Sequence, residues 1–323
     1  MRAPDFWKRE SLASFCLTPA SLLWRMGAAL RGLLIRPTTA SVPVLCIGNL
    51  VAGGAGKTPL ALAFARHLQA HGRTPHFLTR GYGGREAGPL QVDPKIHSVH
   101  DVGDEALLLA AVAPTWIAHN RPKGAAAATA AGADIIVMDD GYQNPSLAKD
   151  LSVLAVDGGY GFGNRRVMPA GPLRESLVGG LRRADAAVVI GTDATGALNG
   201  IINYSRVFKA ALQPYPENDV AGETVFAFAG IGRPDKFYAT LRLMGCKVSG
   251  TRDFSDHHNY NSAEIMRLCE DAAAAGALLV TTEKDFVRLP LEAHHRVKVV
   301  PVTLEWDDPS APDQILEVIL DNV

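Results

Sequence analysis

A glycine-rich segment between an apolar run and a helical pattern is the strongest constraint on what this chain can fold into. Residues 48–58 read GNLVAGGAGKT, directly after the apolar residues 42–47 and directly before the helical pattern of residues 60–71. Glycines let successive backbone N–H groups turn toward an anion, and the dipole of the following helix adds to the attraction. The segment therefore predicts a phosphate-binding loop between a strand and a helix.

The residue types in this loop predict its ligand. In loops of this kind the lysine, here Lys57, reaches the outer phosphates of a nucleotide, and the next hydroxyl, here Thr58, faces Mg²⁺. The strict pattern has a glycine where this chain has Val51, so the loop is a variant. We expect ATP or a similar triphosphate, with Mg²⁺, in a cradle formed by Gly53, Gly54, Ala55, Gly56, Lys57 and Thr58. The alternative is a glycine turn that contains Gly-Lys-Thr by chance.

Length, charge and cysteine content limit the class of protein. With 323 residues, 47% of them hydrophobic, the chain is long enough for two packed domains. The formal net charge is −1, so the molecule as a whole does not attract nucleic acid, and no nucleic-acid partner is expected. The cysteines, at positions 16, 46, 246 and 269, form no close pair in sequence and no metal-ligand spacing. This usage is typical of reduced thiols in the cytosol.

The first 36 residues combine basic charge with an apolar helical face. A helical wheel groups these apolar side chains on one face: Leu22, Leu23, Met26, Leu30, Leu33 and Leu34. A basic amphipathic helix of this kind lies in the interface of an anionic bilayer or packs on the core of its own protein, and its spacing allows both. Pro19, Arg25 and Arg31 interrupt the apolar stretch, so a membrane-spanning helix is not expected.

Short apolar runs alternate with helical patterns along the rest of the chain, which predicts a parallel sheet covered by helices on both faces. The expected fold class is α/β, with a P-loop NTPase-type parallel sheet domain, a second, smaller α/β domain and the N-terminal amphipathic helix. The predicted boundaries are 1–36 for the helix, 37–202 for the nucleotide-binding domain, 203–304 for the smaller domain with an extended connection at 203–213, and 305–323 for a C-terminal helix that packs on either domain.

Carboxylates follow a second buried strand pattern. The apolar residues 135–138 end in Asp139 and Asp140, and this is where a nucleotide-binding sheet places its second Mg²⁺-organising group. The bland alternative is an ordinary turn. Glu175 is a candidate third carboxylate near the cation, or a solvated glutamate in a first helical turn.

A phosphoryl acceptor hydroxyl needs a carboxylate or an imidazole to take its proton. Asp104 opens a predicted helix, where an acidic residue is also explained by the helix dipole. His257 and His258 lie on a loop of the second domain, where adjacent histidines are often surface residues. An aspartate and a histidine that meet across a domain cleft would suit hydroxyl activation.

Arginines near the predicted ligand-binding edge are candidates for contacts with an anionic acceptor. Arg80 and Tyr82 lie in the segment RGYGG, which follows a strand and is expected at the same sheet edge as the phosphate loop. The segment either steers the substrate or is a glycine turn with a solvated arginine. Arg121 and Arg174 are similar candidates for binding a phosphate group of the acceptor.

Together these motifs form an ordered set. They are GNL at 48–50, GGAGKTP at 53–59, RGYGG at 80–84, GDE at 103–105, DDGYQ at 139–143, GFGN at 161–164, PAGPLRE at 169–175, AGIG at 229–232, DH at 256–257 and TEKD at 282–285. The set resembles the tetraacyldisaccharide 4′-kinase family, the membrane-associated kinases of lipid A biosynthesis. Asn144 departs from the resemblance, since the family has histidine after the glutamine.

The resemblance implies an activity and a location. The activity is transfer of the ATP γ-phosphate to the 4′-hydroxyl of a tetraacyldisaccharide 1-phosphate glycolipid. The location is the inner-membrane surface, on the cytoplasmic face, with the N-terminal helix as a peripheral anchor. By the same resemblance, Asp104 and His257 are expected to activate the hydroxyl. The carboxylates expected to handle Mg²⁺ are Asp139, Asp140 and Glu175.

A P-loop ATPase of the partitioning or metal-delivery type is the main rival. Loops of that type also contain Gly-Gly-x-Gly-Lys-Thr, but they carry a signature lysine just before the glycine pair. This chain has Ala52 at that position, which favours the kinase.

Overall fold

The computed structural model describes residues 4–215 and 219–320, with every side chain in those ranges except that of Arg31. The strands in these ranges are β1 (Val44–Gly48), β2 (Pro75–Thr79), β3 (Leu90–Gln91), β4 (Thr115–Ile117), β5 (Ile135–Asp139), β6 (Leu151–Asp157), β7 (Ala186–Ile190), β8 (Arg206–Pro214), β9 (Thr224–Ala229), β10 (Lys247–Asp253), β11 (Leu278–Thr282), β12 (Lys298–Val300) and β13 (Val302–Trp306). The helices are α1 (Leu12–Cys16), α2 (Thr18–Leu34), α3 (Lys57–Ala70), α4 (Val99–Val102), α5 (Asp104–Ala110), α6 (Arg121–Ala130), α7 (Leu177–Leu181), α8 (Ala197–Ile201), α9 (Pro234–Leu243), α10 (Ser262–Ala274), α11 (Glu283–Phe286) and α12 (Ala311–Leu320).

The larger sheet has the strand order β13-β8-β7-β6-β1-β5-β2-β4-β3. Its edge strands β3 and β13 run antiparallel to their neighbours. Every residue of β1, β5 and β7 is buried, as expected for parallel strands with helices on both faces. Because β1 pairs with β5, the loops that follow these two strands leave the sheet side by side. This is the edge at which open α/β sheets bind ligands.

The C-terminal helix packs on the larger sheet. Helix α3 buries Phe64 and Leu68 in the core of this domain, and α12 adds Ile315, Leu316 and Ile319 to the same apolar cluster. Full burial of one such side chain contributes about 1.5–3 kcal/mol. The chain therefore returns to its first domain at its C-terminal end.

The smaller sheet is parallel and has the strand order β10-β9-β11-β12. Helix α9 packs on one face through Phe237 and Leu241. Helix α10 packs on the other face through Ile265 and Leu268. Because the apolar clusters of this sheet are separate from that of the larger sheet, β9 to β12 form a second α/β domain.

Two strands differ from the sequence-based expectation. The stretch predicted as an extended connection forms β8, which pairs in parallel with β7 and antiparallel with β13 of the larger sheet. The stretch 298–306 forms two strands, β12 and β13, which are separated by Pro301 and belong to different sheets. Proline has no N–H to continue a ladder, so it suits a strand boundary. The larger domain consequently includes β8 and β13, which the predicted range 203–304 assigns to the smaller one.

Helix α2 is hydrogen-bonded to the larger domain in its first half and is exposed to solvent in its second half. The Ser21 hydroxyl donates to the Val167 carbonyl at 2.7 Å, and the Trp24 indole donates to the Arg174 carbonyl at 3.1 Å. Further along α2, apolar side chains face solvent, with Leu33 85% exposed. Among the residues described, no helix has the length and apolar character needed to cross a membrane.

Candidate active site

The phosphate-binding loop connects β1 to α3. Gly53 and Gly56 adopt φ values of 122° and 85°, in the left-handed region that favours glycine. A Cβ atom on Gly56 would lie 2.6 Å from the Ile190 side chain, so space also requires glycine there. The next residue, Lys57, begins α3 with its side chain 9% exposed. The backbone N–H groups at the start of α3 and the Lys57 side chain therefore lie at the same end of the helix.

Two aspartates at the end of β5 face this loop. Asp139 is paired in register with Ile47 of β1, and its carboxylate accepts a hydrogen bond from the Thr58 hydroxyl at 3.2 Å. Asp140 lies 3.7 Å from the Lys57 ammonium group. The structure thus brings together the four residues that the sequence places at a nucleotide and cation site.

The two aspartates have different electrostatic environments. Complete burial and the charge of Glu105 raise the pKa of Asp139 to about 7. Burial also opposes ionisation of Asp140, yet the charges of Lys57 and Arg174 hold the pKa of Asp140 below its ordinary value. Asp139 Oδ1 is buried and has no hydrogen-bond partner among the described residues. An oxygen-only donor set with one unsatisfied oxygen suits a hard cation such as Mg²⁺.

Arg174 contacts Asp140 at this site directly, whereas Glu175 does not. The Arg174 guanidinium donates to both Asp140 oxygens, at 2.7 and 3.3 Å. Glu175 forms a bidentate pair with Arg183, at 2.5 and 2.6 Å, and accepts from Gln143 at 3.0 Å. Gln143 in turn accepts from Arg174 at 3.4 Å. Glu175 is therefore linked to Asp140 through two side chains rather than by direct contact.

Asp104, at the start of α5, is bound by side chains from the second domain. Its Oδ2 atom lies 2.9 Å from His257 Nδ1 and accepts from Arg288 Nε at 2.8 Å. Burial opposes ionisation, but the His257 hydrogen bond and the charges of Lys284 and Arg288 outweigh it and hold the pKa of Asp104 well below its ordinary value. Asp104 is therefore an ionised, buried carboxylate at the domain interface.

Sequence reasoning missed Arg288 and gave no role to Lys284 and Asp285. Arg288 is 1% exposed and bridges Asp104 to Asp285, whose Oδ1 lies 3.2 Å from Arg288 Nη1. Lys284 pairs with Glu105 at 3.1 Å across the domain interface. The one available signal is the three-residue spacing of Asp285 and Arg288, which is too common to indicate a site.

A cleft of about 70 Å³ opens beside the Asp104–His257 pair. Tyr82 lines it and is 65% exposed, with its ring centroid 5.5 Å from that of His257. Arg80, in the same segment, is exposed. Of the two candidates in the predicted RGYGG segment, Tyr82 therefore lines the cleft, and Arg80 is exposed nearby in the chain.

Arg121 has a different environment from the other candidate arginines. It is 3% exposed, and its guanidinium donates to the Thr79 carbonyl at 2.8 Å and to the Ala118 carbonyl. Burial and the charge of Arg80 lower the pKa of Arg121 to about 10. The side chain thus fastens α6 to the ends of β2 and β4.

The two domains also meet beside the phosphate loop. Asp157, at the end of β6, accepts from Arg233 at 2.8 Å and from Lys236 at 2.6 Å. A Cβ atom on Gly232 would lie 3.8 Å from the backbone nitrogen of Gly54. The start of α9 therefore lies over the phosphate loop.

An α/β fold with a phosphate loop, two aspartates facing that loop and a buried carboxylate at a domain interface is typical of a nucleotide-dependent phosphotransferase. The sequence profile of the family described as Tetraacyldisaccharide-1-P 4′-kinase matches residues 13–320. The chain belongs to this family. Membership confirms the resemblance seen in the motifs and sets aside the partitioning-type ATPase.

Individual relatives agree with the family match. The chain is 52% identical over 314 residues to a tetraacyldisaccharide 4′-kinase of Paramagnetospirillum magneticum, with 96% of each chain covered. It is 49% identical to the enzyme of the same name from Rhodospirillum centenum, over 99% of this chain and 97% of the relative. The crystal structure of "apo" form LpxK from Aquifex aeolicus in complex with ATP superposes with a TM-score of 0.77 at 25% identity, covering 96% of this chain and 99% of that one. The predicted α/β fold class is confirmed.

Proposed function

We propose that this chain transfers the γ-phosphate of ATP to the 4′-hydroxyl of tetraacyldisaccharide 1-phosphate, a step of lipid A biosynthesis. The observation that carries the proposal is the contact between Asp104 and His257 at 2.9 Å, close to the phosphate loop. Glu105, next to Asp104, is near enough for its charge to raise the pKa of Asp139. A proton acceptor and a triphosphate cradle thus face the same region.

The triphosphate side uses positioning and charge. Backbone N–H groups of Gly53 to Gly56 and the ammonium group of Lys57 bind the phosphates. Thr58, Asp139 and Asp140 would hold Mg²⁺, which would supply positive charge to neutralise the phosphates. Arg174 fixes Asp140 through two hydrogen bonds. Glu175 belongs to the outer part of this site, through Gln143.

The acceptor side uses Asp104 as the group that receives the hydroxyl proton. Its low pKa makes it a weak base, which is sufficient because the transition state of phosphoryl transfer is loose and places little demand on the nucleophile. His257 Nδ1–H donates to the ionised Asp104 carboxylate, so His257 orients this carboxylate and stabilises its charge. Arg288 Nε donates to the same carboxylate oxygen, Oδ2.

The 4′-hydroxyl of the acceptor glycolipid is assigned to the cleft beside Asp104. Tyr82 lines this cleft, and Arg80, two residues before it, has an exposed guanidinium suited to contacts with a phosphorylated sugar. Arg121 and Arg174 have guanidinium groups that are committed to protein partners. Arg121 and Arg174 therefore contribute to acceptor binding through their positive charge and by holding their protein partners in place.

The lipid substrate requires that the enzyme work at a membrane surface. Each acyl CH₂ exposed to water costs about 0.8 kcal/mol, so the acyl chains stay in the bilayer. The exposed apolar side chains of α2 supply a surface for the interface, and we assign the protein to the cytoplasmic face of the inner membrane as a peripheral protein. The hydrogen bond from Trp24 to the Arg174 carbonyl connects this surface to the cation site.

Mass spectrometry of the lipid product tests the proposed function. Purified protein is incubated with Mg-ATP and tetraacyldisaccharide 1-phosphate, and the lipid is expected to gain one phosphoryl group at the 4′ position. Lys57→Ala should abolish the gain, whereas Lys123→Ala, an exposed lysine on α6, should not. An unchanged lipid with the wild-type protein, or equal product from Lys57→Ala, would overturn the proposal.

A further inference from the structure

Two histidines and an aspartate converge on the far side of the larger domain. His67 lies in the last turn of α3 and His71 directly follows this helix, with the two ring centroids 4.3 Å apart. Both face Asp313 of α12: its Oδ1 atom is 2.7 Å from His67 Nε2 and 3.7 Å from His71 Nε2. One ligand atom from each residue lies within 4.8 Å of the other two. The proposed kinase reaction uses none of these residues.

The hydrogen bonds of His71 fix its tautomer. Its Nδ1 atom lies 2.9 Å from the His67 backbone carbonyl, and a carbonyl oxygen can only accept. Nδ1 therefore carries the proton, so the lone pair of the neutral ring is on Nε2, the atom that faces Asp313. Histidines that bind metals are oriented in this way, by donating their other ring nitrogen to a carbonyl or a carboxylate.

We propose that His67, His71 and Asp313 bind a divalent transition metal, with Zn²⁺ as the best match. Two imidazole nitrogens and one carboxylate oxygen are ligands that Zn²⁺ prefers, at about 2.0–2.2 Å each. His71 and Asp313 have side chains that are 48% and 54% exposed, so an ion can enter and water can complete the coordination. Binding displaces the proton shared by His67 and Asp313, whose ligand atoms separate by several tenths of an ångström to admit the ion.

The proposed metal site links two helices and is distant from the ATP site. It joins the C-terminal helix α12 to the last turn of α3, the helix that begins at Lys57. The rise of an α-helix places His67 about 15 Å from Lys57 along α3. The proposed site is therefore separate from the ATP site, and a bound ion holds α12 on the core without touching the reaction.

Mg²⁺ is not expected to compete at this site. It prefers oxygen ligands and retains its water, whereas two of the three ligands here are imidazoles. The two cation sites of the protein can therefore be measured separately. Zn²⁺ tests the His67–His71–Asp313 site in buffer that contains Mg²⁺.

Calorimetric titration of the chelator-treated full-length protein with ZnCl₂ tests the proposal. We expect one Zn²⁺ per chain, a rise in the midpoint of thermal unfolding with Zn²⁺, and a visible absorption band with Co²⁺. His71→Ala should weaken Zn²⁺ binding by more than about tenfold and remove the band. His295→Ala, an exposed histidine of the second domain, should leave both unchanged.

Two further measurements keep the result unambiguous. Without metal, His71→Ala should unfold at nearly the wild-type temperature and retain kinase activity with Mg-ATP, because the side chain is half exposed and distant from the ATP site. Asp313→Asn, which preserves side-chain size, should also weaken Zn²⁺ binding. The proposal is wrong if the wild-type protein binds no Zn²⁺ stoichiometrically, or if His71→Ala retains the wild-type affinity because the ion binds elsewhere, for example at the exposed Cys16.

Discussion

His257 Nδ1 lies 2.9 Å from Asp104 Oδ2, although 153 positions separate the two residues in sequence. Asp104 begins α5 beside the larger sheet, and His257 lies in the loop between β10 and α10 of the smaller domain. The proposed proton acceptor is therefore assembled by the contact between the domains. Neither domain alone holds the pair.

Replacement of His257 should slow the reaction without weakening ATP binding. His257→Ala leaves Asp104 without the group that orients it, so we expect kcat to fall by about 10²–10⁴-fold. His258→Ala is a matched control, because the neighbouring ring contacts Glu264 at 3.2 Å instead of Asp104. Steady-state kinetics with the lipid substrate check this prediction. Equal losses in the two variants would remove His257 from the proposed mechanism.

Replacement of Arg288 should destabilise the protein. Arg288→Met leaves Asp104 and Asp285 buried with one cation fewer, and breaking a buried ion pair in this way costs about 3–5 kcal/mol. Arg85→Met breaks an exposed pair, with Asp101, in which Arg85 is 74% exposed, and should cost less than about 1 kcal/mol. Urea unfolding measures both free energies. Comparable losses would contradict a buried network around Asp104.

The pH dependence of stability should include a contribution from Asp104. Its pKa is lower in the folded protein than its ordinary value of 3.8, so the unfolded chain binds the proton more readily. The resulting stability is present above pH 3.8 and is lost as pH falls below it. The stability advantage of wild type over Asp104→Asn should therefore shrink as pH falls from about 6 toward 3. The urea midpoints of both proteins across this pH range measure the difference in stability. A difference that stays constant with pH would contradict the lowered pKa of Asp104.

Membrane association should depend on the exposed leucines of α2. Leu30 and Leu33 are 58% and 85% exposed, and insertion of a leucine into the interface contributes about 1.5–3 kcal/mol. The double variant Leu30→Asp/Leu33→Asp should lose more than about tenfold in binding to anionic phospholipid vesicles. Leu291→Asp changes a leucine of similar exposure, 81%, outside this helix. Vesicle sedimentation compares this control with the double variant. Undiminished binding of the double variant would rule out α2 as the anchor.

Local patterns in the sequence were sufficient for the phosphate side of the site. The loop at Gly53–Thr58 and the aspartates after β5 follow from glycine spacing and from strands that end at one sheet edge. The pairing of Asp104 with His257 is expected from the family resemblance, because their contact depends on how the domains pack. No spacing along the chain encodes that packing.

Non-local pairing explains what the sequence did not predict. Strand β8 is half exposed and pairs with β13, which lies after the whole second domain, so the sequence shows neither its partner nor its sheet. Arg288 is an isolated arginine whose importance comes from being buried between Asp104 and Asp285. Burial of a charged residue against distant partners leaves no periodic signal in the sequence.

The rate of phosphate transfer in a single turnover by Asp104→Asn tests the central claim most directly. The variant keeps the side-chain size and lies outside the phosphate loop, so ATP affinity, measured separately, should stay within about twofold of wild type. The account predicts that transfer from bound ATP to the glycolipid slows by about 10²-fold or more. Transfer at the wild-type rate by a folded Asp104→Asn protein would contradict it.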